Sequence, residues 1–160
     1  MPVQAEVRII RGRTLPRRLR QLRKDLEDRV EAHRAAGQLQ VQRIIQNVRA
    51  GRGPDGNQLR PLSQSTLDDR RRRGVGGTTP LIDTGQMINS LRVFVRQTTR
   101  ESITEIRPTG RQVVKAAAHQ QGLGVPARPW LGINTTEVRE HRRIFVDDMR
   151  VKAKKASRGA

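Results

Sequence analysis

The 160-residue sequence contains no cysteine and no tyrosine, and its aromatic rings number three: Phe94, Trp130 and Phe145. Without cysteine there is no disulfide, no thiolate-ligated zinc and no thiol nucleophile, which excludes a disulfide-stapled secreted fold and leaves the redox compartment open. Aromatic rings normally supply the largest buried areas, so the core has to be aliphatic. Leucine, isoleucine, valine and phenylalanine make up about 24% of the chain. That lies above the roughly 20% below which a highly charged chain stays disordered, so the chain folds, with a modest core that neighbouring subunits can supplement. Long apolar runs are also missing, and MPVQAEVRII lacks a basic stretch followed by an apolar one. Neither a membrane span nor a signal peptide is expected, and the product reads as soluble and cytoplasmic.

Negative charge is scarce too. Thirty-three Lys and Arg face fifteen Asp and Glu, a net charge of +18, which attracts nucleic acid, an acidic protein surface or an anionic membrane face. Arginine greatly outnumbers lysine, which fits guanidinium recognition of phosphates or carboxylates and equally an arginine-favouring, GC-rich genome.

Residues 3 to 9 alternate, with Val3, Ala5, Val7 and Ile9 against Gln4, Glu6 and Arg8, the period of a half-buried strand. After Gly12, Thr14 stands as an N-cap with Pro16 in the first turn, and Leu15, Leu19, Leu22, Leu26 and Val30 recur at helical spacing. The phase runs on through His33 and Gly37 to Val41, Ile44 and Val48. One helix over about 14–50, bent at Gly37, is expected, roughly 50 Å long at 1.5 Å per residue. Its other face, with Asp25 and Arg29 spaced to pair, reads as solvated.

AGRGPDGNQLRPLS, residues 50–63, is loop by composition. Ser63 or Ser65 can cap a short helix through Leu67 that leads into DDRRRRGVGG. Arg70, Arg71, Arg72 and Arg73, followed by glycines, predict an exposed, mobile loop over about 68–79. Order resumes at Thr79-Pro80, with Asp83 or Thr84 capping a short helix over Met87, Ile88 and Leu91. LRVFVRQT and ESITEIRP, separated by Thr99-Arg100, read as an antiparallel hairpin. Phe94 shares the side of Arg92 and Arg96, which suggests that this face is partly covered. Gln112 to Val114 is expected as a third short strand, and Lys115 to Gln121 as a helical turn or two stopped by Gly122. Asn134 and Glu137 form a capping box for a last helix, marked by Val138, Phe145 and Met149, to about Val151. The expectation is a single α+β domain over 1–152, a small antiparallel sheet with a long N-terminal helix, short helices and a C-terminal helix. A basic disordered tail over 153–160 follows.

Catalytic chemistry finds little support. His33, His119 and His141 lie too far apart for a local metal motif, and there is no G-x-S-x-G. The Asp83-Thr84-Gly85 triplet is explained as a cap and turn, lacking the second copy and two-lobed body of an aspartic protease. GVGG has neither the Lys-Ser/Thr nor the preceding strand of a phosphate-cradling loop. No enzyme, metal or cofactor is expected. A dedicated nucleic-acid reader is disfavoured, because the basic charge is dispersed and the rings that stack single-stranded bases are absent.

Three stretches in order, 55-DGNQLRPLSQSTL-67, 80-PLIDTGQMINSL-91 and 119-HQQGLGVPARPWLG-132, resemble the phage virion morphogenesis family, the tail-completion or neck proteins of Mu-like and related tailed phages. Each is weak alone, but their order and spacing over about residues 50–150 are specific. Two departures stand out: Leu59 where the family often has tryptophan, and Lys115 where it often has tyrosine. The resemblance implies an α+β structural protein of the virion that assembles as a homo-oligomeric ring, acts in the host cytoplasm during assembly and carries no catalytic residues. It also implies contacts with tail-terminator, tail-tube or head-tail connector proteins, and non-specific contact with packaged DNA. Head-closure and tail-terminator rings, or a non-specific basic nucleic-acid-binding protein, are the alternatives.

The segment AHQQGLGVPARPWLGIN, residues 118–134, concentrates rare residues in a stiff connector. Pro126 and Pro129 fix φ, and Gly122 and Gly124 permit unusual turns. Arg128, Trp130 and His119, with Arg70, Arg71, Arg72 and Arg73, are the candidate assembly-interface residues. Trp130 is expected to anchor the loop to its own domain, with a subunit contact as the alternative, and Arg128 to point at a partner.

Overall fold

The computed structural model describes Arg20, Lys24 and residues 28–75, 77–98 and 101–158. The strand expected over 3–9, the cap at Thr14, the apolar positions from Leu15 to Leu26 and the hairpin tip Thr99-Arg100 lie outside the described residues.

The helical stripe appears as α1, Val30–Arg49, whose buried positions Ala32, Ala36, Gln40, Ile44 and Val48 are four apart and so share one face. The helix is continuous through Gly37. Asp28 and Arg29 are non-helical between Lys24 and Val30, so the expected continuous helix is interrupted there instead. Gly37 is needed for close approach: a Cβ on it would stand 2.9 Å from Thr104 Cγ2 and nearer still to Val93 Cγ1. Ala32, Ala36 and Gly37 form the smooth stretch of the helix against which the sheet rests.

That sheet is the expected hairpin, β1 (Leu91–Gln97) antiparallel to β2 (Ser102–Pro108), with Val93 opposite Ile106 and Val95 opposite Thr104. An isolated two-stranded hairpin is marginal in water. Here its half-buried Val93, Thr104 and Ile106 pack on α1 and its surroundings, and the His33 ring nitrogen Nδ1 meets Thr104 Oγ1 at 2.7 Å.

The last helix, α5 (Thr135–Arg158), runs antiparallel to α1. Gln40 Nε2 donates to Glu137 Oε2 at 3.1 Å, Arg43 pairs with Glu140 at 2.9 Å, and His33 meets Phe145 edge-on with ring centroids 4.7 Å apart. The capping box is formed as expected: Asn134 N–H donates to Glu137 Oε2, and Glu137 N–H to Asn134 Oδ1. The basic tail expected to be disordered from 153 is helix through Arg158. Ala, Lys and Arg are strong helix formers, and Lys152 ties back to Asp148 at 2.8 Å, one turn earlier.

Two further expectations are corrected between these helices. The arginine run is not a loop, since α2 spans Gln64–Arg72, capped by Ser63, which accepts from Thr66 N–H at 3.3 Å. Asp68 and Asp69 pair with Arg71, Arg72 and Arg73 at i,i+3 and i,i+4, turning a repulsive run into a helix-supporting one. Gln112–Val114 is not a third strand but the start of α4, Gln112–Gln121, which buries Ala116 and leaves Val113 and Val114 exposed. Gly122 ends it in the left-handed region at φ 80°, as expected. Between α2 and β1, α3 (Gln86–Asn89) starts after Gly85 with no side-chain cap, and Leu91 belongs to β1.

Candidate assembly interface

The three family-like stretches meet in one place. Val48 and Trp130 are the largest fully buried side chains, in a cluster with Ile44, Leu59, Leu81, Met87, Ile88, Leu91 and Ala116. Leu59 comes from the first stretch, Leu81, Met87, Ile88 and Leu91 from the second and Trp130 from the third, so the segments converge on one core cluster. Leu81 is the one non-glycine residue with positive φ among those described, at 66°. A bulky side chain rarely adopts that conformation, and burial against the cluster holds it there.

The loop after α4 is folded back on that helix by main-chain bonds. Arg128 N–H donates to His119 O at 2.7 Å. Gln120 acts as a splint: its Oε1 accepts from both Trp130 N–H and Leu131 N–H at 3.0 Å, and its Nε2 donates to Leu131 O at 3.0 Å. The loop then presses on residues 51–57. A Cβ on Gly132 would sit 2.8 Å from Pro54 Cγ, and Asn134 Nδ2 donates to Pro54 O at 3.1 Å.

Arg128, expected to reach outward, is 5% exposed. Its Nε donates to Arg60 O at 2.6 Å and its Nη2 to Pro61 O at 2.8 Å. It therefore links the third stretch to the first. Arg70 does the same for the segment after α2, 5% exposed and donating through Nη1 to Gly77 O and Thr79 O at 3.1 and 3.2 Å, with Asp83 3.7 Å from its Nε. Burial, with the charges of Arg60 and Arg70 nearby, pulls the Arg128 guanidinium below its ordinary value.

Asp83 is no helix cap. It holds Arg73 through two contacts of 3.2 Å, and that hydrogen bonding, reinforced by the charges of Arg73, Arg70 and Lys115, outweighs partial burial and keeps its carboxyl below the usual range. His119 is half-buried, with Nδ1 enclosed and without a hydrogen-bond partner. Burial first, then Arg128 and Lys115, lowers its pKa and favours the neutral ring.

Of the seven interface candidates, the structure therefore places Arg70, Arg128 and Trp130 inside the domain, His119 half inside, and Arg73 on Asp69 and Asp83. Arg71 and Arg72 are exposed, each paired with an aspartate one turn earlier. Trp130, 1% exposed in the core cluster, anchors its own domain. Gln120 was missed although it sits in 119-HQQG-122; a glutamine can both donate and accept, and that is what a loop with free backbone groups requires.

Two other features face outward. A cleft of about 380 Å³ lies between α1, β2 and α5, lined by His33, Gln40, His141 and Phe145 among others. The Gln40 amide is oriented by its donation to Gly132 O and Glu137, which leaves Oε1 buried without a partner. The second feature is the solvent face of the hairpin, where Arg92 stands opposite Arg107 and Phe94 opposite Glu105. Among the described residues, no group of three His, Asp or Glu is placed to hold a metal ion, and no helix is long and apolar enough to cross a membrane.

Comparison with known proteins gives one finding. A family model described as the phage virion morphogenesis family matches residues 10–149. Neither the curated proteins nor the solved structures give a significant match.

Proposed function

The chain belongs to the phage virion morphogenesis family, and from that premise we propose that it is a tail-completion protein of the neck, a ring subunit that finishes the tail so that it can join the DNA-filled head. The family is a structural one, and the chain's role lies in building the virion. The match over residues 10–149 carries this reading.

The architecture supports it. Buried arginines and Trp130 lock the loops into a stiff frame, so its edges can present fixed surfaces to neighbours. A closed ring makes each contact heterologous, one face meeting a different face next door. On α5, Val138, Val146 and Met149 are exposed and lie within one side of the helix by their spacing, an apolar strip of the kind that a neighbouring subunit covers. A net charge of +18 draws the ring toward acidic surfaces of terminator, tail-tube or connector subunits and toward packaged DNA.

Particles made without the gene test the reading. Full heads accumulating beside assembled but unjoined tails, and joining when purified protein is added, are expected. Tails of uncontrolled length would instead assign a terminator, and heads that leak their DNA a head-closure ring. The charge favours a second reading, a non-specific nucleic-acid-binding protein. Tight duplex binding at about 150 mM salt with a steep salt slope, together with absence from virions, would replace the neck reading by that one.

A further inference from the structure

We propose that the solvent face of the β1–β2 hairpin, centred on Phe94 and the facing pair Arg92 and Arg107, docks an acidic face of a different virion protein. The proposal rests on the virion role above and names the chemistry of one partner.

Strand register sets the argument. Arg92 is directly opposite Arg107, and Phe94 stands between Arg92 and Arg96 on the same face. Like charges directly opposite each other destabilise a strand pair, so this pairing does not help the fold. The chain leaves it uncompensated: among the described residues no carboxylate is within ion-pair distance of Arg92, Arg96 or Arg107, while Asp68, Asp69, Asp83, Glu140, Asp147 and Asp148 are all ion-paired elsewhere.

Phe94, one of three aromatic residues, is 37% exposed, with the Arg107 guanidinium 4.3 Å above its ring. Arg92 is braced by donation to Asn89 O and Leu91 O. An apolar ring ringed by pre-oriented guanidinium forks is the composition of a protein-binding hot spot, and each fork can accept a carboxylate bidentately. Glu105, exposed opposite Phe94, decides between protein and nucleic acid. A carboxylate in the middle of the patch repels a phosphate backbone, whereas a protein face can supply a cation or hydroxyl to it. A second copy of the chain does not fit face to face, because that would set arginines against arginines.

The test is made in phage carrying the full chain. Arg92→Glu/Arg107→Glu should lower incorporation into particles and infectious titre at least about tenfold, as like charges set against each other at an interface do. The purified double variant should keep a cooperative thermal transition, so that a lost partner is told apart from a lost fold, although two carboxylates beside Glu105 and the loss of the Arg107–Phe94 stack lower its melting temperature. Phe94→Ser gives the same loss without a charge change and covers the case in which the double variant does not fold. Suppressors that convert a carboxylate to lysine or arginine in another virion gene would confirm the surface. Normal incorporation of folded variants, or suppressors confined to this chain, would overturn it. Loss of duplex DNA binding in parallel with titre would overturn it in favour of a phosphate ligand. If deleting the gene leaves head-tail joining intact, the neck reading fails; if only the hairpin variants behave as wild type, that reading stands and the docking surface alone is lost.

Discussion

Arg128 and Arg107 show what separates the interior of this molecule from its surface. Arg128 lies in a glycine- and proline-rich loop and is 5% exposed, bonded to the carbonyls of Arg60 and Pro61. Arg107 lies in a strand and is exposed, stacked on Phe94. Strands commit their carbonyls to the ladder, whereas irregular loops leave carbonyls that must find donors once buried. A guanidinium carries five donors and no acceptor. The loops at 60–61 and 77–79 therefore draw Arg128 and Arg70 inward, whereas Arg107, on the solvent face of the hairpin, stacks on Phe94 and stays exposed.

The sharpest way to break this division is Trp130→Ala. It empties the centre on which the three motif segments converge and should cost about 3–5 kcal/mol, read as loss of cooperative thermal unfolding or a much lower melting temperature. Retained stability would show that the loops hold each other without the indole. A smaller effect separates buried from exposed arginine within the same candidate set. Arg128→Met removes both part-buried hydrogen bonds to Arg60 O and Pro61 O and should destabilise by about 1–3 kcal/mol in urea unfolding, whereas Arg71→Met, whose side chain is 72% exposed, should stay within about 0.5 kcal/mol. Equal effects would erase the distinction.

The smallest effect concerns pH. His33 and His119 both have pKa values below 6.5, His33 through burial and then the charge of Arg29, His119 through burial and then Arg128 and Lys115. The fold favours the neutral rings, so their contribution is present above about pH 6.5 and is lost as pH falls through the lowered folded-state values. The melting temperature should decline as pH falls below about 6.5, and His33→Gln/His119→Gln should flatten that decline. An unchanged slope in the double variant would remove the histidines from the account.

Much of the fold was legible because it rests on local rules. The period of Val41, Ile44 and Val48, the alternation in LRVFVRQT, the caps at Ser63 and Asn134 and the stop at Gly122 each concern neighbours within a turn or a strand. The failures share a different cause. DDRRRRGVGG reads as loop from four arginines followed by glycines, whereas aspartates one turn away pair with that run and hold it in a helix. Gln112 to Val114 reads as a strand, whereas the fold leaves Val113 and Val114 exposed on a helix and turns Ala116 inward. At Gly37 the need for a missing Cβ comes from Val93 and Thr104, which lie far along the chain.

The candidate site was legible as a set of segments and not as a set of contacts. The sequence by itself determined the α+β class, the aliphatic core, the excess of positive charge and the three motif stretches that the family match supports. These follow from composition and from patterns repeated within a few residues. The alternation of LRVFVRQT already placed Arg92 and Arg96 on the exposed side, and only the tertiary structure decided that Arg128 and Arg70 turn inward. The fate of an arginine depends on which distant carbonyls the fold leaves without a donor, and those carbonyls lie 67 and 68 residues from Arg128 in the chain.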